Sequence, residues 1–406
     1  MLSLSFSLSQ KQKVEEFPAV SALDISLAMT TLKDTPTTLM FHAEMLPPIT
    51  DSVGDAVQTS APPLAPHGAL DTYQTFLESR PVAFETYAID EIISLAPAAP
   101  RLHLHIVHLS AVQAIPLLRQ ARDNGVNITA ETCFHYLALA AEEIAIGDTR
   151  HKCCPPIREE SNRQQLWDEL VKPDSCIRTI VSDHSPCTPE LKLLPQQLEV
   201  TAMTGSSSQV SLNQSSLDSA NIQTTTDSGY ATGTATPLDQ EKMLVLTQTP
   251  HSTLAVSQQP PPPSQAGDFF AAWGGISSVG LGLPILYTTA LARASACTPL
   301  LMTDIVRLCS QATAAQVGLS HCKGGLATGL DGDVCVFDDR AEAAWTLSAG
   351  EMRWKNRCSP WEGKRFAGRV VETWLRGQKV FELSQGADGF MGKSPVGRSI
   401  VEKRLV

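Results

Sequence analysis

Apolar positions along the chain alternate between two rhythms. Residues 14–33 (VEEFPAVSALDISLAMTTLK) repeat apolar side chains at helical spacing, and Lys33, Asp34 and Pro36 stop the run. Residues 38–41 then read as a short strand that delivers His42, Ala43 and Glu44. Residues 81–96 predict a second helix, and residues 102–109 (LHLHIVHL) alternate like a strand ending at Ser110. A helix over 110–124 closes at Asn124-Gly125, a pair suited to a left-handed C-terminal stop. The cycle repeats with a strand over 126–133, a helix over 162–171 and a β-branched strand over 177–183. Strands alternating with helices predict parallel βαβ units, hence an α/β layer fold or barrel.

The rhythm breaks at residues 193–267. This stretch is rich in Ser, Thr and Gln and ends in a proline run, so it offers too little apolar surface to offset chain entropy. It is expected to be a disordered insert. From Gly329 the character changes again. Short strands at 334–337, 370–375 and 380–383, the last two separated by Arg376-Gly377, predict a small β region. The expected organisation is an unmatched segment 1–13, α/β sequence over 14–192, the insert, an α/β continuation over 268–318, the β region over 319–383 and a flexible tail over 384–406.

Composition narrows the picture. The 406 residues are 43% hydrophobic and carry a net charge of -11, with no Lys/Arg block, so neither nucleic acid nor an anionic membrane is the expected partner. No stretch reaches the roughly 18 apolar residues of a membrane span. The first residues, MLSLSFSLSQKQK, lack the charge pattern of a secretory signal, so a cytoplasmic location is expected. Ten cysteines without a C-x-x-C pair suit reduced thiols.

Candidate chemistry lies at strand ends. His42, His108 and Asp183 each close or follow a predicted strand of the α/β part. Carboxyl ends of parallel strands face one mouth, so residues distant in sequence can converge there. Imidazole and carboxylate are ordinary zinc ligands, and three protein ligands with an open position form a catalytic arrangement. Each residue also has a plainer reading: a hydrogen-bonded structural histidine, or an aspartate capping the His184-Ser185-Pro186 turn.

The strings FHAEM, HIVHLS, ITAETCFHYLAL, KCCPPIREESNRQQLW, VSDHSPCTPELK, AWGGISSVGLGLP and GLATGLDGDVCVFD together resemble the allantoinases, within the cyclic amidohydrolases that include dihydroorotase and dihydropyrimidinase. The resemblance covers about residues 12–192 and 268–383. It implies the C-terminal half of a (β/α)8 barrel beside a small β-sandwich. It implies zinc-dependent opening of the hydantoin ring of allantoin to allantoate in purine catabolism, by a homo-oligomer. His42 and His108 resemble the histidines of one metal in a binuclear centre, and Asp183 the carboxylate on the other metal and the general base. His105 would be a supporting or structural residue. Cys154, Pro155 and Pro156, with Trp273, Gly274 and Gly275, resemble loops lining the substrate pocket.

The family's H-x-H pair and its bridging carboxylated lysine have no counterpart here. His42 is the first histidine, and His103-Leu104-His105 lies on the same strand as His108. The resemblance therefore implies an N-terminally truncated chain holding at most part of the family's two Zn2+ ions, with reduced activity. The alternatives are a non-catalytic relative acting through a partner, and a cyclic amidase for dihydroorotate or a dihydropyrimidine.

Overall fold

In the computed structural model, residues 2–5, 20–47, 64–196, 198, 265–294, 300–385, 389–391 and 394–400 are described. Most of the predicted insert, residues 14–19 of the first predicted helix and part of the tail lie outside them.

Four of the five strands of the α/β part appear where the apolar pattern puts them. β1 (Leu2–Ser5), β2 (Thr38–His42), β3 (His103–Ile106), β4 (Ile128–Cys133) and β5 (Ile177–Val181) form one five-stranded sheet in the order β1-β2-β3-β4-β5. Every pairing is parallel. Sequential order without a reversal is a singly wound sheet, unlike the doubly wound folds whose strand order switches direction. β1 arises in the segment expected to be unmatched. The strands are joined by α2 (Tyr73–Glu78), α3 (Ala83–Leu95), α4 (Ile115–Asp123), α5 (Phe134–Ala138) and α6 (Glu160–Leu170), preceded by α1 (Ala22–Leu32). α1 starts at Ser21, whose hydroxyl accepts the Asp24 amide while the Asp24 carboxylate accepts the Ser21 amide, a reciprocal cap.

Register sorts the sheet into two chemistries. Leu39, Leu104 and Ile128 lie side by side, as do Phe41, Ile106 and Ala130, and all six are buried in the main core with Met29 of α1 and Ile92 of α3. The intervening row holds Met40, His105 and Thr129. Because side chains alternate across a strand, one face is apolar and the other carries polar groups. On that polar face Thr129 bonds His103 (2.8 Å) and His105 (2.7 Å), and His105 reaches Glu131 at 3.2 Å.

Downstream, α7 (Gly282–Arg293), α8 (Met302–Val306) and α9 (Ala312–Gln316) precede an antiparallel sheet of β6 (Val334–Asp338), β9 (Arg369–Leu375) and β10 (Gln378–Glu382) in the order β10-β9-β6. The Arg376-Gly377 connection between β9 and β10 has positive φ at both residues, 48° and 76°, as a tight two-residue hairpin requires. A second ladder, β7 (Trp345–Thr346) with β8 (Arg365–Phe366), has no signal in the sequence pattern. Among the described residues no helix is long and apolar enough to cross a membrane, and the nine cysteines are unbridged thiols.

A buried ionic knot fixes the chain just beyond β3. The Glu85 carboxylate of α3 accepts the Ser110 and Ala111 amides (2.9 and 3.2 Å), the Ser110 hydroxyl (2.5 Å) and Arg158 Nη2 (2.9 Å). Arg158 also donates to the Arg80 carbonyl at 2.6 Å. Removing one member strands the other in the interior, so Arg158→Met is expected to cost about 3–5 kcal/mol. Glu85→Leu should cost at least as much, because two backbone amides also lose their acceptor. Urea unfolding of both single variants and the double variant checks this. The double should cost clearly less than the sum of the singles.

Candidate metal centre

His42 is the last residue of β2, and His108 and Asp183 each lie two residues beyond β3 and β5. Parallel strands put all three at one edge of the sheet. The chain at His108 changes strand partner: the Val107 amide bonds Phe41 on β2 and the Leu109 amide bonds Glu131 on β4. Between them His108 adopts a left-handed backbone (φ 40°), as does Asp183 (φ 44°). Non-glycine residues in this region store of order 1 kcal/mol or more and are held there by their surroundings. For His108 the surroundings include the Glu85 carboxylate on residues 110 and 111.

The result is a pair of imidazoles meeting edge-on. His42 Nδ1 and His108 Nε2 stand 2.8 Å apart, with the ring planes at 75°. They border a cavity of about 500 Å³ that is also lined by Val107, Glu131, Val181, Ser182, Asp183 and His184. His42 Nε2 lies 3.1 Å from Glu44, whose two carboxylate oxygens both contact Arg80 Nη1, at 3.1 and 3.0 Å. Burial would push the Glu44 carboxyl up, but the Arg80 guanidinium, with His42, overrides it and holds Glu44 down at about 2. Ionised Glu44 accepts a hydrogen bond from His42 Nε2–H, which leaves the Nδ1 lone pair facing the cavity. Burial, then the neighbouring His42, lowers the His108 pKa, which favours the neutral ring.

These residues fit a divalent cation. Two imidazole nitrogens from separate strands converge beside a carboxylate, and one imidazole is oriented by a buried acid. If both nitrogens present lone pairs at this separation they repel, and a cation between them removes the repulsion. Buried His108 Nδ1 has no hydrogen-bond partner. By contrast His105, wholly buried, is engaged by Thr129 and Glu131 and supports the sheet.

Neither loop expected to bind substrate, Cys154, Pro155 and Pro156 or Trp273, Gly274 and Gly275, lines this cavity. Two buried lysines hold these loops together instead. Lys192 Nζ donates to the carbonyls of Trp273 (3.0 Å) and Gly275 (2.6 Å), and Lys152 Nζ to those of Phe270 (3.1 Å) and Ala272 (2.5 Å). The Gly275 amide donates to the Lys152 carbonyl. Gly275 packs on Ser185, whose carbonyl would lie 2.3 Å from any Cβ built there.

The sequence pattern gave no role to Glu44, Arg80, Glu131, Cys133 or His135. Glu131 and Cys133 are spaced by two on β4 and so share the face of His105, a signal that strand alternation alone offers. Cys133, His135 and Asp183 bring their ligand atoms within 4.8 Å of one another. Burial, then the nearby His108, presses the His135 pKa down to about 3.

Acid should therefore weaken the fold in two steps. His135 stays neutral when folded to about pH 3, against an ordinary value of 6.5, and Glu44 stays ionised to about 2, against 4.5. Over both windows the unfolded chain binds more protons, so stability falls as pH drops from 6.5 towards 2. Glu44→Gln should flatten only the part below about pH 4.5, measured as urea midpoints against pH. Asp183→Gly releases the left-handed backbone, and should leave stability unchanged or raise it by up to about 1 kcal/mol in the same assay.

Over 393 residues the chain is 36% identical to the allantoinase of Saccharomyces cerevisiae, an alignment spanning 96% of this chain and 64% of that protein. It is 29% identical over 400 residues to a probable allantoinase 2 of Dictyostelium discoideum, covering 97% of this chain and 62% of that one. The chain thus spans less than two thirds of the length of these relatives. Its fold is similar to that of a solved D-hydantoinase from a Bacillus sp. AR9, with a TM-score of 0.62 at 20% identity, covering 97% of this chain and 66% of that one. No protein-family profile matches the chain.

Proposed function

We infer that this chain, a relative of the allantoinases, serves the hydrolytic opening of a cyclic amide, with allantoin opened to allantoate. One observation carries the reading: His42 Nδ1 and His108 Nε2 meet at 2.8 Å on a cavity that Asp183 also lines. The sequential parallel sheet and the likeness to a hydantoinase support taking β2–β5 as part of a (β/α)8 barrel and the antiparallel strands as part of a β-sandwich. A cavity of about 500 Å³ is of the size that takes a small heterocycle.

A ring amide is a weak electrophile and water a weak nucleophile. A divalent ion such as zinc, held by His42, His108 and Asp183, would lower the pKa of water and polarise the ring carbonyl. The remaining work falls to side chains of this chain. Asp183 takes a proton from the attacking water as the new C–O bond forms, and returns it to the ring nitrogen as the C–N bond breaks. Glu44, kept ionised by Arg80, holds His42 in the tautomer that turns Nδ1 to the cavity. Val107 and Val181 give the cavity apolar wall, which strengthens the charge interactions inside.

The test is turnover by the purified, zinc-loaded chain on allantoin, dihydroorotate and dihydropyrimidine. Ring opening is expected with allantoin, with loss of activity to a chelator. Asp183→Asn should lower kcat by about 10²–10⁴, the range for a lost general base. His42→Ala and His108→Ala should abolish the response to added zinc. A folded, zinc-loaded chain that leaves allantoin intact refutes the activity, and a preference for another ring amide refutes the substrate.

A further inference from the structure

The mouth of the sheet holds a second donor set, of which the proposed hydrolysis uses only Asp183. Cys133 closes β4, His135 is the second residue of α5, and Asp183 follows β5. In the sheet register Cys133 pairs with Val181, which sets its thiol beside the turn that carries Asp183. The ligand atoms of all three residues lie within 4.8 Å of one another.

His135 is the independent sign that something belongs there. Its ring is 1% exposed, and neither ring nitrogen has a hydrogen-bond partner. An unmet buried polar group is costly, and an imidazole has two positions to satisfy. The ring is held by its neighbours instead. Tyr136 packs against it edge-on at 4.2 Å and is itself anchored by its hydroxyl, which donates to the Pro155 carbonyl at 2.7 Å. Phe134 on the other side is pinned against Gly282, where a Cβ would fall 2.3 Å from the Phe134 ring. A side chain positioned this firmly, without bonds of its own, is preorganised for a ligand.

We propose that Cys133, His135 and Asp183 form a zinc-preferring cation site, separate from the His42–His108 pair and joined to it through Asp183. The donor set chooses the ion. Thiolate and imidazole are poor ligands for magnesium or calcium, which take oxygen, whereas sulfur, nitrogen and one carboxylate suit zinc. Bonds of about 2.0–2.3 Å meeting at tetrahedral angles put donor atoms about 3.3–3.6 Å apart, so a small contraction of the present cluster closes it. Binding exchanges the Cys133 S–H bond for an S–Zn bond and releases one proton to solvent. Three protein ligands leave one coordination position open.

Cobalt(II) alone, added to the purified chain, is the probe. A thiolate-to-cobalt charge-transfer band is expected. It should vanish in Cys133→Ser, persist in His42→Ala, and need about a hundredfold more cobalt in His135→Gln, since losing a ligand exceeds the 10–100-fold loss of a supporting group. X-ray absorption of the zinc-loaded wild type covers the case in which a variant fails to fold, and should show a sulfur neighbour at about 2.3 Å. A shell of nitrogen and oxygen only, a thiolate band that survives Cys133→Ser, or a band that disappears with His42→Ala overturns the proposal. Neither readout requires turnover, so failure of the hydrolytic reading leaves this test intact.

Discussion

Everything at this site depends on the parallel register of β2, β3, β4 and β5. Peptide hydrogen bonds fix which residues lie side by side, and strand alternation then fixes which face each side chain takes. A slip of one residue would turn His105, Glu131 and Cys133 into the apolar layer, and Leu104 and Ala130 out of it. The buried rows Leu39–Leu104–Ile128 and Phe41–Ile106–Ala130 oppose that slip, because each large side chain loses about 1.5–3 kcal/mol on exposure. The chemistry at the strand ends is therefore positioned by hydrophobic burial on the opposite face.

Charge is buried around the mouth only where it is answered. Glu44 faces Arg80, and Glu85 faces Arg158 together with two backbone amides. Such pairs add little net stability compared with apolar packing, since removing ions from water costs several kcal/mol each. What they supply here is position. Glu85 holds the residues after His108, and Glu44 sets the tautomer of His42. The left-handed backbones of His108 and Asp183 show the same economy: local strain is tolerated at two strand ends because the surrounding contacts leave those residues no other conformation.

Asp183 stands at the meeting point of two donor groups. On one side two histidines from separate strands share the cavity with it, and on the other a thiol and an imidazole from the end of β4 approach it. One carboxylate has two oxygens, so a single residue can serve both sides. The loops of Lys152 and Lys192 close the neighbouring ground without entering the cavity, their ammonium groups bonded to backbone carbonyls.

The sequence by itself determined the alternation of helix and strand, the Arg376-Gly377 hairpin, and the placing of His42, His108 and Asp183 at strand ends. Each of these follows from local periodicity or from the conformational preference of a few adjacent residues. It also carried, in short strings, the likeness to the allantoinases. Tertiary structure alone decided that His42 meets His108, that Glu44 answers Arg80, and that Cys133 and His135 approach Asp183. It also set the Trp273 and Gly275 carbonyls against Lys192. These contacts join residues tens of positions apart, and their geometry depends on strand register and on two left-handed turns. No periodicity along the chain encodes a distance across it.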